Sequence, residues 1–138
     1  MSPSSLLFVA SQKQLSVIAR GIFLHYGFLL QERRTVEEAS ALLEREWLPD
    51  WLVVDLRIAD ERRTRTELAA LYDLIDRHRV RRDLPTKVVL ITATPLGAHD
   101  AARCETLGIG VPWTWNPPYR HIAQILMHVN SLLPAGQP

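Results

Sequence analysis

The sequence predicts an α/β fold built on one doubly wound, five-stranded parallel sheet, and three observations predict it. Short apolar runs recur along the chain, LLFVA at 6–10, WLVV at 51–54 and KVVLI at 87–91. Runs of this kind are typical of strands buried on both faces. The segments between them carry apolar residues at the spacing of one helix face, so strand and helix alternate, which implies a sheet covered on both sides. A length of 138 residues suits one domain rather than two.

The first strand, Leu6 to Ala10, is too short for an ordinary helix and is bounded by Ser11-Gln12-Lys13-Gln14. Leu15, Ile18, Ala19, Ile22 and Phe23 then mark the inward stripe of a first helix, with Gly27 placed to end it. Leu29 to Arg33 is a weaker second strand. Thr35-Val36-Glu37-Glu38 is a capping box in which Thr35 and Glu38 satisfy each other's backbone donors, and the helix it opens runs to about Trp47. Pro49-Asp50 introduces the third strand, Trp51 to Val54, which a charge, Asp55, terminates. From Asp60 to Arg82 the pattern is helical, with Leu68, Leu71, Tyr72 and Ile75 inward and most Arg and Asp outward, until Leu84-Pro85 breaks it. The fourth strand, Lys87 to Ile91, leads through Thr92-Ala93-Thr94-Pro95 to an alanine-rich helix that Gly108 caps. Val111 to Trp115 is a short fifth strand; after Asn116-Pro117-Pro118, residues Ile122, Ile125, Leu126, Val129 and Leu133 form the stripe of a last helix. The expected domain is 1–133, with 134–138 a flexible tail or the start of a linker.

Composition excludes several function classes. The chain is 47% hydrophobic and 22% charged, which rules out a disordered or fibrous protein. Sixteen Lys and Arg against fifteen Asp and Glu give a net charge of +1, too balanced to announce nucleic acid or an anionic membrane. The single cysteine, Cys104, cannot form an internal disulfide or a cysteine metal cluster, and reads as a small buried packing residue. No basic leader and no apolar run of membrane-spanning length is present, so a cytoplasmic protein is expected. Residues 57–87 hold nine basic and six acidic side chains, a pattern that suits an ion-paired, solvated helix exterior better than a nucleic-acid surface. His25, His78, His99, His121 and His128 are scattered without a metal-binding pair. There is no P-loop, Gly-rich dinucleotide fingerprint or Ser-His-Asp arrangement, so an ordinary enzyme is not expected.

Five such units fit the flavodoxin-like strand order 2-1-3-4-5, whose crevice lies at the carboxyl ends of strands 1 and 3. That directs attention to Ala10, Ser11, Asp55, Thr92 and Asn116. On these residues the sequence, from about Leu6 to Leu133, resembles the CheY-like receiver domain of two-component response regulators. Pro49-Asp50-Trp51-Leu52-Val53-Val54-Asp55 is similar to the family's third strand and places Asp55 at the phosphoacceptor position. Leu90-Ile91-Thr92-Ala93 is similar to the fourth strand with its switch residue, here Thr92, and Asn116-Pro117 stands where the family has Lys-Pro.

The departures lie in the chemistry. The family's acidic pair, which with the phosphoacceptor holds Mg²⁺, corresponds here to Ala10 and Ser11; the family's lysine corresponds to the neutral Asn116. Phosphoryl transfer rests on positioning and on neutralising oxygen charge, so losing metal and lysine removes the main cations. The resulting expectation is a pseudo-receiver, a signalling module working by phosphorylation-independent protein contact, without a cofactor. Its interaction face would be built by the fourth helix, fifth strand and last helix, with Trp113, Trp115 and Tyr119. Asp55 would then be a relic, hydrogen-bonded to loop amides or paired with Arg57. The alternative is an atypical but active phosphoacceptor using Asp55, Thr92 and Mg²⁺ in an unusual shell, and a third reading has the altered crevice hold a small molecule. Partners would be proteins of bacterial-type signalling, a histidine kinase or an output domain, with a homodimer open; nucleic acid and membrane are not expected.

Overall fold

The computed structural model describes residues 4–45, 47–57, 60–82, 86–93, 95–109 and 119–132, and for 79–82, 121 and 127–132 the backbone alone. Four strands, β1 (Ser5–Ala10), β2 (Leu29–Arg33), β3 (Trp51–Leu56) and β4 (Lys87–Thr92), form a parallel sheet in the order β2-β1-β3-β4. Five helices accompany them: α1 (Lys13–His25), α2 (Val36–Leu43), α3 (Glu61–Arg82), α4 (Ala98–Thr106) and α5 (Tyr119–Leu132). The expected fifth strand at 111–115, with Trp113, Trp115 and Asn116, lies outside the described residues, as does the tail at 134–138. The observed order is the first four members of the one expected.

Strand pleating sorts the core into two layers, because successive side chains point to opposite faces. Leu7 and Val9 of β1, Leu52, Val54 and Leu56 of β3 and Val88 and Leu90 of β4 pack with α2, α3 and α4. Leu6, Phe8 and Ala10, Trp51 and Val53, and Ile91 face α1 and α5. The parallel register pairs Ala10 of β1 with Asp55 of β3, and Asp55 with Ile91 of β4. Asp55 therefore shares the parity of Trp51 and Val53 and is directed toward α1 and α5, beside Ala10.

Four sequence expectations need correction. The third strand does not stop at Asp55: it continues through Leu56, because the carboxylate finds partners described below and the ladder to β4 continues to the Leu56–Thr92 pair. The second helix ends at Leu43, not Trp47, with the amide of Arg45 turning back to the carbonyl of Leu42 at 3.1 Å. In the capping box, Thr35 Oγ1 accepts from the amide of Glu38 at 3.1 Å, but Glu38 Oε1 reaches past Thr35 to the amide of Arg34 at 3.0 Å. Finally, Ile18 is not on the inward stripe of α1. It is 54% exposed, and the small Ser16 is buried in its place with Ala19 and Phe23.

Gly27 and Gly108 end α1 and α4 as expected, at φ of +87° and +76°, values that a side-chain-bearing residue rarely adopts. One buried charge has no counterpart in the sequence pattern: Glu67 of α3 accepts from the amide of Val36 at 2.9 Å and so caps α2 from across the layer.

Candidate functional site

Asp55 stands at the carboxyl end of the central strand and is 2% exposed. A carboxylate so placed requires donors, and two residues supply them. Arg57, two residues on, donates through Nε to Oδ1 at 3.0 Å and through Nη2 to Oδ2 at 2.6 Å, while its backbone amide donates to Oδ1 at 3.0 Å. From α5, the hydroxyl of Tyr119 donates to Oδ2 at 2.5 Å. Both carboxylate oxygens are therefore occupied, and the fork geometry of guanidinium on carboxylate is the strong form of this pairing. The guanidinium also lies 5.3 Å from the centroid of the Tyr119 ring, so cation, carboxylate and phenol form one closed cluster.

The local sequence explains this arrangement. Pleating aims Asp55 at the α1 and α5 side, and there Tyr119 is seated among Phe8 and Phe23, at ring separations of 5.5 and 6.1 Å. Its ring joins the aromatic core, which leaves only the hydroxyl to project toward the strand end. Tyr119 is 5% exposed, which corrects its expected place on an interaction face: it is a core residue bound to the site. Ala10 is buried beside Asp55 and offers no ligand atom, and Ser11 uses its backbone carbonyl to accept from Arg34 Nη1 at 3.4 Å. Gln12 steadies the loop after β3 by donating to the carbonyl of Arg57 at 3.2 Å.

The cluster shifts the titration of two members. The charged bond to Asp55 holds the Arg57 guanidinium more firmly protonated than a free arginine, against the opposing effect of its burial. Burial first, then the negative charge of Asp55, pushes Tyr119 above the ordinary phenol range. A folded-state value raised above the unfolded one contributes stability that is present below the ordinary phenol value, about 10, and is lost as pH rises toward the folded value. Tyr119 and Tyr72, the latter also raised chiefly by burial, are thus expected to stay protonated in the folded chain where free phenols ionise. Phenolate absorbance followed against pH should show the Tyr119 and Tyr72 signals appearing only with alkaline unfolding, and Tyr119→Phe should remove one of these late signals.

Thr92, at the end of β4, is buried and shares the parity of Val88 and Leu90, which directs it to the opposite face. There it lines a cleft of about 510 Å³ together with Leu56, Thr64, Arg65, Gly97 and Asp100. A second charged cluster closes this side. Arg65 of α3 pairs with Asp100 of α4, the hydroxyl of Tyr72 donates to Asp100 Oδ1 at 2.9 Å, and Arg103 pairs with Asp76 at 2.9 Å. The α3 charges, expected on an ion-paired, solvated exterior, thus include Arg65 and Asp76, whose partners lie on α4 and clamp it to α3. The bond from Arg65, helped by Tyr72, holds Asp100 below the usual carboxylate range against partial burial. A depressed value contributes stability that is present above the unfolded value and lost as pH falls through the folded one. Acid should therefore loosen α4 from α3, and Asp100→Asn should remove that part of the acid dependence, read by hydrogen exchange of the α4 amides between neutral pH and pH about 3. Cys104 is fully buried in α4, and burial raises its thiol above its ordinary value, as suits a packing residue. Among the described residues no group of three metal-ligating side chains comes together. No helix among them is long and apolar enough to cross a membrane.

Comparison with solved structures finds one architecture throughout. A CheY-like response regulator receiver domain protein from Methanospirillum hungatei JF-1 superposes with a TM-score of 0.70 at 15% identity, over 92% of this chain and 93% of that one. The fold is that of a response regulator receiver domain. The signal receiver domain of the putative response regulator NarL from Mycobacterium tuberculosis agrees, with a TM-score of 0.66 at 15% identity over 96% of this chain and all of that one. So does a response regulator from Thermotoga maritima, with a TM-score of 0.66 at 18% identity over 95% and 99% of the two chains. No protein-family model matches the sequence, and no curated protein matches it. At these identities the receiver fold is what the likeness carries.

Proposed function

We propose that this chain is a receiver-fold signalling module that works by protein–protein contact without being phosphorylated. One observation carries the reading. The carboxylate at the phosphoacceptor position already holds an internal cation, Arg57, on both oxygens, with Tyr119 on the remaining open side. An incoming phosphoryl group would have to displace both, and an acyl phosphate formed there would lack the cations that neutralise its oxygens.

The residues present do not fit Mg²⁺. That ion takes an octahedral shell of hard oxygens with one or two carboxylates. Here Ala10 contributes none, Ser11 contributes at best a hydroxyl, and Asp55 is bound to a guanidinium that a dication would have to expel. Arg57 takes over the electrostatic task of a metal: it neutralises a buried strand-end carboxylate. Because Tyr119 is the first residue of α5, the cluster also ties the strand end directly to that helix and holds it in one position. A module of this kind presents one constitutive surface to a partner in two-component signalling, a histidine kinase, an output domain or a second copy, through the fourth helix, the region of Trp113 and Trp115, and the last helix.

Incubation with acetyl phosphate and Mg²⁺ followed by intact mass measurement tests this. The chain should gain no mass, and Arg57→Ala should gain none either, because the acidic pair is absent in both. A gain of about 80 Da, the mass of one phosphoryl group, lost in Asp55→Asn, would establish the active phosphoacceptor instead.

A further inference from the structure

The whole chain has a net charge of only +1, yet one cleft exceeds that by itself. Between α1 and β2, a cleft of about 470 Å³ is lined by Lys13, Arg20, Arg33 and Arg34 and by two carboxylates, Glu32 and Glu38. Both parities of β2 contribute to it, because β2 is the edge strand of the sheet and side chains from either face reach around its open side.

These charges do not cancel one another. Arg20 and Glu32 form a closed pair, with Nε donating to Oε2 at 2.6 Å and Nη2 to Oε1 at 3.3 Å. Glu38 Oε1 accepts from the backbone amide of Arg34 at 3.0 Å rather than from a cation. Arg33 donates from Nη1 to the carbonyl of Glu32 at 2.6 Å, and Arg34 from Nη1 to the carbonyl of Ser11 at 3.4 Å. Among the described residues, neither of these guanidinium groups nor Lys13 has a carboxylate partner. Each of the two arginines thus engages one carbonyl and keeps further donors for an oxyanion, the recognition its forked geometry suits best.

We propose that the cleft between α1 and β2 binds a small phosphomonoester, with its phosphate on Arg33, Arg34 and Lys13 and its apolar body on Val17 and Leu30, which line the same cleft. Charge selects this ligand. The excess of two positive charges matches a phosphomonoester, which carries close to two negative charges at neutral pH, whereas a carboxylate neutralises only half of it. A nucleic-acid strand would bring further phosphates against Glu32 and Glu38, so a single phosphate fits where a row of them is repelled. The reading is independent of the state of Asp55. Because Arg34 is held at the carbonyl of Ser11, capture of its guanidinium is felt in the loop from β1 to α1, and the amide of Gln12, which shares that peptide bond, reports it.

The test uses the full chain with phenyl phosphate as the probe, inorganic phosphate and benzoate as comparisons, and amide NMR as the readout. Phenyl phosphate should give saturable shifts at Gln12, Lys13, Arg33 and Arg34. It should bind about fivefold or more tighter than inorganic phosphate, which lacks the apolar body, and than benzoate, which lacks the second charge. Arg33→Gln with Arg34→Gln should weaken the probe by about tenfold or more, and Lys13→Gln by a smaller factor. Arg62→Gln with Arg63→Gln removes the same charge from the exposed start of α3 and should leave binding unchanged. Glu38→Gln keeps an acceptor for the Arg34 amide while removing the opposing carboxylate, and should tighten the probe by about threefold. The proposal is overturned by the absence of saturable shifts at those amides, by equal binding of the three anions, or by equal weakening from the β2 and α3 substitutions. Each of these would leave only a general attraction of anions to a cation-bearing surface.

Discussion

Asp55→Asn is expected to destabilise this protein by about 3 kcal/mol, read as a lowered urea midpoint with unchanged m-value. The reason is the partner left behind. The Arg57 side chain is 14% exposed and ion-paired with Asp55, so neutralising Asp55 removes a buried counter-charge, the situation in which broken ion pairs cost most. The sign matters as much as the size. In a pocket with two further carboxylates, as the resemblance to the receiver family would imply, removing one of three like charges relieves repulsion and stabilises the fold. Destabilisation here would mark Asp55 as half of an ion pair; stabilisation or no change would mean that the pair contributes little.

Arg57→Ala should have a comparable effect for the complementary reason. It leaves Asp55 buried with the hydroxyl of Tyr119 and, if the turn holds, the amide at position 57 as its donors. Two donors without a counter-charge do not offset the desolvation of a carboxylate, and about 2–3 kcal/mol should be lost at neutral pH. The double variant Asp55→Asn with Arg57→Ala should cost clearly less than the two single losses added together. A coupling of 1 kcal/mol or more in that cycle would be the direct energetic signature of the cluster, and simple additivity would deny it.

Much of this fold is legible in the sequence, because its strands are buried on both faces and announce themselves as apolar runs. The positions of Asp55 and Thr92 at strand ends follow from those runs. What is not legible is tertiary. The pairing of Asp55 with Arg57 was one of two relic roles open for that carboxylate, and local spacing alone does not choose between them. Tyr119 is further away: 64 residues separate it from Asp55, and its role depends on Phe8 and Phe23 fixing its ring. The signal that points to it is chemical rather than positional, since a buried carboxylate without metal or lysine must find donors, and an aromatic cluster on the same face offers a hydroxyl.

One residue of the α1 stripe, Ile18, failed for a different reason. Leu15, Ala19, Ile22 and Phe23 face the core as expected, but Ile18 lies at the edge of that stripe, where periodicity alone does not separate it from the outer side, and Ser16 is buried instead. In α3, charge pattern alone suggested an ion-paired, solvated exterior but not which partners, and Arg65 and Glu67 find theirs on neighbouring helices. Long, flexible charged side chains reach partners that sequence spacing does not reveal.

The most direct test of the central claim, that Arg57 has taken the place of a metal at Asp55, is a titration with Mg²⁺, alone and with beryllofluoride as a phosphoryl mimic. It would be followed at the backbone amides of Ala10, Asp55 and Arg57, with Asp55→Asn as control. No saturable shift at millimolar Mg²⁺, with or without the mimic, is expected if the guanidinium holds the carboxylate. Saturable, beryllofluoride-dependent shifts at those amides, abolished by Asp55→Asn, would contradict it and identify a working phosphoacceptor with an unusual shell.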